Sequence, residues 1–324
     1  MPDSPLLRSP IGYRSRPAAV ADVQEIHRLV AACEHQLHDR ATTDADSIAA
    51  DLGQPGLDPA CDTVLVHDHA GQLAGWAWVR GRRSTVDVHP GHRGRGLGRS
   101  LLAWAEARAR QKGGDRLAQT VSDSDRAAAG LLRSRGYSPL VTEWLLEFAM
   151  ADEPDVPEPP EGIVVRPFRP GAGPAVHQLA EDAFDEWQQR RQSYEEWARH
   201  TVERATFEPA ASPIAFAGDQ MVGAVLSLNG PGTDEGYVER VAVRHDHRNR
   251  GIARMLLREA FRTFHTHGKR TCTLWTHSDT GALSLYERIG MTVRRSSTVY
   301  SKELAAGSDG DEVDASHVPA VPPE

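Results

Sequence analysis

Two ten-residue stretches have residue types and spacing that could do chemistry: residues 92–101 read HRGRGLGRSL and residues 247–256 read HRNRGIARML. Each follows a strand-like run (STVDVHP; YVERVAV) and opens an apolar pattern at helical spacing, so each reads as strand, turn, helix. At such a junction the first backbone N–H groups of the helix have no partner inside it. The helix end also carries partial positive charge, and the two together suit an anion such as phosphate. Gly96, Gly98 and Gly251 permit close backbone approach, or backbone angles that a side chain forbids. Neither copy ends in the Lys-Ser/Thr of a P-loop, and neither has the GxGxxG spacing of a dinucleotide fold. Both share Arg-x-x-Gly-x-Gly/Ala, as Arg93, Gly96, Gly98 and as Arg248, Gly251, Ala253.

The elements that must position these turns repeat as well. Arg16-Pro17 and Arg166-Pro167 each open a strand-to-helix unit. Gly75 in LAGWAWV and Gly223 in MVGAVLS sit in equivalent strand patterns, Val88 matches Val243, and Gly136 matches Gly290. Matched landmarks in one order indicate duplication of a whole domain. Each half reads as strand, helix, second helical stretch, hairpin, strand, turn, long helix, strand, helix and a late strand, near 142–149 and 298–304. The long helices should bury Leu97, Leu101, Trp104 and Ala105 in one half and Ile252, Leu256, Ala260 and Phe264 in the other. Residues 151–161 (ADEPDVPEPPE) read as an extended linker. The expected organisation is a first domain over 10–150, the linker, a second domain over 162–304 and a disordered tail over 305–324.

Composition excludes several classes. The chain has 324 residues, 40% hydrophobic and 25% charged, with 45 acidic against 37 basic residues and a net charge of -8. That balance is wrong for a nucleic-acid partner. Cys33, Cys61 and Cys272 form no CxxC pair, which argues against a disulfide framework and a zinc site, and the scattered histidines show no ligand spacing, so no metal is expected. No run is long and apolar enough for a signal peptide or a membrane span, so a cytoplasmic protein without a membrane partner, monomer or homodimer, is expected.

The shared turn is similar to the pyrophosphate signature of the GCN5-related N-acetyltransferases (the GNAT family). VERVAVRHDHRNRGIARMLL followed by SDTGALSLYERIGM resembles that family's core in its usual order. The resemblance implies an α/β (α+β) protein of two tandem domains, each a mixed, mostly antiparallel sheet flanked by helices. It also implies acetyl-CoA as cosubstrate and a small primary amine as acceptor. The implied cofactor cradles are Arg93, Gly94, Arg95, Gly96, Leu97 and Gly98, and Arg248, Asn249, Arg250, Gly251, Ile252 and Ala253. An oxyanion would be held by backbone N–H groups of the preceding strand, at Val86 and Val88 or at Val241, Ala242 and Val243.

Two side-chain roles remain: a base for the amine and an acid for the departing thiolate. Tyr286 lies where the family often keeps its acid, and a phenol can protonate a thiolate; otherwise it packs on its helix. Leu132 stands opposite it in the first half. Glu239 is the candidate base, placed by strand alternation on the face of Val241, with Glu235 further back; otherwise it is a solvated strand residue. The family often has its base two residues before Glu239, where this chain has Tyr237. Ser84 stands opposite Glu239, and Asp87 should face the other way unless a bulge turns it. Asp125 and Asp279 suit helix caps. The helical stretch 182–197 shapes the acceptor pocket in the family. Its Asp185, Glu186 and Trp187 are substrate candidates, against an amphipathic helix with solvated acids and core tryptophans. The expectation is chemistry in the second domain and cofactor binding or a structural role in the first; the alternative is an acetyl-CoA sensor or scaffold without catalysis.

Overall fold

The computed structural model describes residues 5, 7, 10–39, 41, 43–54, 56–185, 191–230 and 234–304. The tail expected at 305–324 lies outside them. The chain forms two compact units, one built on Met1–Leu140 and the chain from Ser297, the other on Val141–Ser296.

The first unit contains β1 (Arg14–Arg16), α1 (Val23–His38), α2 (Ala45–Leu52), α3 (Pro59–Asp62), β2 (Thr63–His67), β3 (Leu73–Arg80), β4 (Arg83–Val88), α4 (Leu97–Gln111), β5 (Arg116–Ser122) and α5 (Arg126–Ser134). Then come β6 (Ser138–Ala149) and the second unit's β7 (Ile163–Pro167), α6 (Gly173–Phe184), α7 (Tyr194–His200), β8 (Pro213–Ala217), β9 (Gln220–Asn229), β10 (Glu235–Val243), α8 (Ile252–Thr266), β11 (Thr271–His277) and α9 (Leu283–Arg288). The last strand is β12 (Thr292–Glu303).

In the first unit β1 to β5 pair in chain order, antiparallel except for the parallel β4–β5 contact, and β12 completes the sheet beside β5. In the second, β7 to β11 pair in chain order with β10–β11 parallel, and β6 completes the sheet beside β11. Both are mixed, mostly antiparallel sheets flanked by helices. The late strands expected near 142–149 and 298–304 thus exist, but each completes the sheet built by the other half of the chain. The units therefore divide ahead of residues 151–161, which carry neither helix nor strand. Pairing across distant chain segments is a tertiary choice that no local pattern encodes.

Alternation along the strands feeds two apolar layers. Val64, Val66, Ala77 and Val79 pack with Leu97, Leu101, Trp104 and Ala105 of α4, while Leu65 and Trp76 pack with Ile26 and Leu29 of α1. In the second unit Val225, Val238, Val241 and Val243 pack with Ile252, Leu256, Ala260 and Phe264 of α8, and Ala224, Leu226 and Ala242 pack with Val176, Leu179 and Phe184 of α6. The expected helix stripes are the buried ones. Gly75 and Gly223 are required by close approach: a Cβ there would meet Leu101 at 3.0 Å, or Ile252 at 3.0 Å and Leu256 at 3.1 Å. The bare glycines let each turn-bearing helix lie flat on its hairpin.

Candidate active site

Each turn joins its strand to its helix through a short 3-10 segment, Pro90–His92 or His245–His247. The chain then needs two left-handed residues in alternation. Gly94 and Gly96 have φ of 77° and 86°; Asn249 and Gly251 have 59° and 79°. Asparagine tolerates this region better than other side chains, which explains how the second copy dispenses with one glycine. Gly96 and Gly251 are the N-caps of α4 and α8, and no side chain caps either helix. Gly94–Gly96 and Asn249–Gly251 are exposed, so both turns are open to a ligand. The side chains of Leu97, Ile252 and Ala253 are buried, so only their backbone can serve a ligand.

Arg93 and Arg248 brace the turns. Arg93 Nε donates to the Val88 carbonyl at 3.4 Å, and its Nη2 lies 3.2 Å from an Asp125 carboxylate oxygen. Arg248 Nε donates to the Val243 carbonyl at 3.4 Å and its Nη2 to the Ala183 carbonyl at 2.9 Å. Asp125 also caps α5, accepting from the Ala128 N–H at 2.9 Å. Asp279 does not cap α9. It sits in a 3-10 turn, and Thr280 Oγ1 instead accepts from the Ala282 N–H at 3.2 Å.

The turns differ in cover. A Cβ at Gly251 would meet nothing within 4 Å, whereas one at Gly96 would lie 3.8 Å from Pro10. Tyr13 Oη is 3.0 Å from His92 Nδ1, and Leu7 and Tyr13 pack on the α4 core. Pro10 and Tyr13, just before β1, thus lie against the first turn.

The strands differ more. β10 pairs with β11 only from Glu235 to Tyr237, and β4 with β5 only at Arg83, so both parallel pairs splay toward the turn. Past those points the edge of β10 that faced β11 and the edge of β4 that faced β5 have no strand pairing. A bulge interrupts β10 against β9 between Val238 and Arg240, while β4 pairs with β3 without a break. Val79 pairs with Ser84 and Ser227 with Val238, so Ser84 corresponds to Val238 and not to Glu239. Glu239 is an extra residue that β4 lacks. Val238, Val241 and Val243 share the α8 face, so the bulge breaks the simple alternation by which Glu239 was placed. With no bulge in β4, Asp87 does face α1, accepting from Trp76 Nε1 at 3.0 Å.

Burial raises the Glu239 pKa, with Arg240 and Arg204 opposing it. Burial likewise raises Asp87, to about 6, against the Trp76 hydrogen bond. Tyr286 is fully buried among Val241, Val243 and Ile252, and its hydroxyl has no partner among the described residues. Burial, then the nearby Tyr237, push its pKa far above that of an ordinary phenol, so it stays protonated. Leu132 is buried beside Tyr137 and Tyr300. Chain alignment missed Tyr300 because β12 delivers it from the far end of the chain; its Oη accepts from Arg133 at 3.0 Å.

Of the substrate candidates, Asp185 is exposed and accepts from Arg191 Nε at 3.1 Å, whereas Glu186 and Trp187 lie outside the described residues. Sequence reasoning also passed over His177, Glu181 and Arg240. Glu181 is a charged residue on the buried stripe of α6, a signal that a helical projection would have exposed. A groove of about 740 Å³ in the second unit, between residues 156–159, β7 and α8, touches none of the turn or strand residues above.

The acetyltransferase (GNAT) family model matches residues 23–137 and 174–291. The mycothiol acetyltransferase of Catenulispora acidiphila is 27% identical over 313 residues, covering 90% of this chain and 98% of that protein. The mycothiol acetyltransferase of Geodermatophilus obscurus is 30% identical over 249 residues, covering 71% of this chain and 78% of that protein. Among solved structures, a GCN5-related N-acetyltransferase from Sphaerobacter thermophilus superposes with a TM-score of 0.77 at 30% identity, covering 93% of this chain and 98% of that one. A tandem GNAT protein from the clavulanic acid biosynthesis pathway shares the fold, with a TM-score of 0.69 at 19% identity over 91% of this chain and all of that one. The chain belongs to the acetyltransferase (GNAT) family, carries its domain twice, and is an N-acetyltransferase.

Proposed function

We propose that the second unit transfers acetyl from acetyl-CoA to a small primary amine, and that the first unit is its structural or cofactor-binding partner without turnover. One contrast carries this reading: Glu239 and the orphaned Tyr286 hydroxyl flank a splayed strand in the second unit, and the first has neither. The residues fit the cosubstrate. The uncapped N–H groups from Asn249 to Ala253 would take the pyrophosphate, which brings two negative charges to a helix N-terminus. Arg248 would hold that turn to its strand. Bound there, acetyl-CoA supplies an activated thioester. Free N–H groups between Val241 and Val243 would accept the charge that develops on the acetyl oxygen. Glu239 would take the amine proton, directly or through a water, and Tyr286 would give its own proton to the departing thiolate.

The relatives favour a more specific version, mycothiol synthase, because one bearing the name mycothiol acetyltransferase covers 90% of the chain and another 71%. A sensor or scaffold that binds acetyl-CoA without chemistry is the competing reading. Calorimetric titration of acetyl-CoA into the wild type, Gly96→Glu and Gly251→Glu tests the assignment. Loss of a site with Gly251→Glu is the expected result: a single site untouched by Gly96→Glu makes the first unit structural, and two sites with one lost in each variant make it a cofactor-binding partner. A single site lost only with Gly96→Glu would reverse the roles of the units. Binding with no acetylation of any amine would favour the sensor.

A further inference from the structure

On the α6 side of β10, a group of buried polar atoms takes no part in the transfer scheme. His177 and Glu181 stand one turn apart on α6, Trp197 comes from α7, and Arg240 follows Glu239 in the bulge. Glu181 is 3% exposed and Trp197 1%. One Glu181 oxygen, Oε2, accepts from the Gln192 N–H at 3.2 Å. Its other oxygen, His177 Nε2 at 3.8 Å from it, Trp197 Nε1 and Arg240 Nε have no hydrogen-bond partner among the described residues. The rings of His177 and Trp197 are 5.2 Å apart, and the Arg240 guanidinium lies 5.1 Å over the Phe184 ring. These side chains are held in place by packing while their polar atoms are left unpaired.

Native interiors pair nearly all buried polar atoms, so a cluster of orphans on one face calls for a partner that arrives. The cluster offers donors at Trp197 Nε1 and Arg240 Nε and an acceptor at Glu181 Oε1. The Glu181 and Arg240 charges oppose each other, so a third charge gains little and would still have to shed its water. A hydroxyl or a carboxamide both donates and accepts, and satisfies the set; a methyl satisfies none of it. We propose that the acceptor amine carries a neutral hydroxyl or carboxamide close to its amine-bearing carbon, held by Glu181, Trp197 and Arg240 while the amine stands at Glu239. This rests on the assignment of acetyl transfer to the second unit.

The test is acetylation of amines in isosteric pairs, including serinol with 3-aminopentane and glycinamide with isobutylamine, by wild type, Trp197→Phe and Glu181→Gln. In the wild type, the hydroxyl or amide member of each pair should win by at least about 100-fold in kcat/KM. Trp197→Phe keeps the ring and removes only the N–H. It should cut that preference at least about tenfold. Equal use of both members by the wild type overturns the proposal, as does an equal fall for both in the variants. Acetylation of no amine, with acetyl-CoA still bound, overturns the transfer reading and this inference with it.

Discussion

The strand–turn–helix of β4 and α4 and that of β10 and α8 share a backbone plan and differ in three local details. Both put two left-handed residues before an uncapped helix, and both strands splay from their parallel neighbour. The second adds one residue to its strand, leaves its turn open, and sets a buried phenol beside it. The first keeps strict pairing, lays Pro10 and Tyr13 over its turn, and places leucine opposite the phenol. A duplicated frame keeps its backbone geometry because core packing depends on it. Single residues at the strand edge and in the turn are free to diverge.

Four substitutions and one deletion would break or sharpen this comparison. The largest effect is expected for Tyr286→Phe, which removes the proposed acid and leaves the ring packed. kcat should fall by about 10²–10⁴ with little change in thermal stability, whereas Tyr300→Phe in the first unit should leave steady-state rates unchanged. A Tyr286→Phe enzyme with full kcat would end the acid assignment. Next, deleting Glu239 should convert the β10 register to that of β4 and lower kcat/KM by about 100-fold or more. Equal activity would show the bulge to be incidental.

Glu239→Gln keeps the bulge and tests the base alone. Burial holds the Glu239 pKa above the usual glutamate value, and a base works only when deprotonated. Activity should therefore rise with pH through that raised pKa and reach its plateau above it. The glutamine variant should lose this acidic limb in a pH–rate profile as well as rate. The smallest effect belongs to the first unit. The Asp87 carboxyl is raised to about 6, so the folded state binds the extra proton between the unfolded value and 6. Stability should fall as pH rises across that window. Asp87→Asn should flatten the dependence and gain about 1–2 kcal/mol above pH 6, read by denaturant melts, without altering turnover. A loss of turnover would make the first unit a participant in the chemistry.

Much of this was readable before any coordinates. The duplicated turn, the glycines under the two long helices and the apolar stripes of those helices follow from local periodicity and from backbone angles that few residues adopt. Tyr286 was legible because a helix keeps its register over a few residues. The argument that placed Glu239 on one face assumes an unbroken ladder, and a bulge is decided by the partner strand. Glu181 escaped notice because acids on a helix are usually solvated, and only packing against α7 and β10 leaves this one dry.

The residue order by itself determined that two copies of one acetyltransferase frame exist and that each ends its fourth strand in an anion-ready turn, since these are consequences of short-range sterics. Only the tertiary structure decided which sheet each late strand completes, which turn is covered, and that Glu239 is an added residue without a counterpart. Those outcomes depend on pairing energies between segments far apart in the chain, which no local window of residues contains.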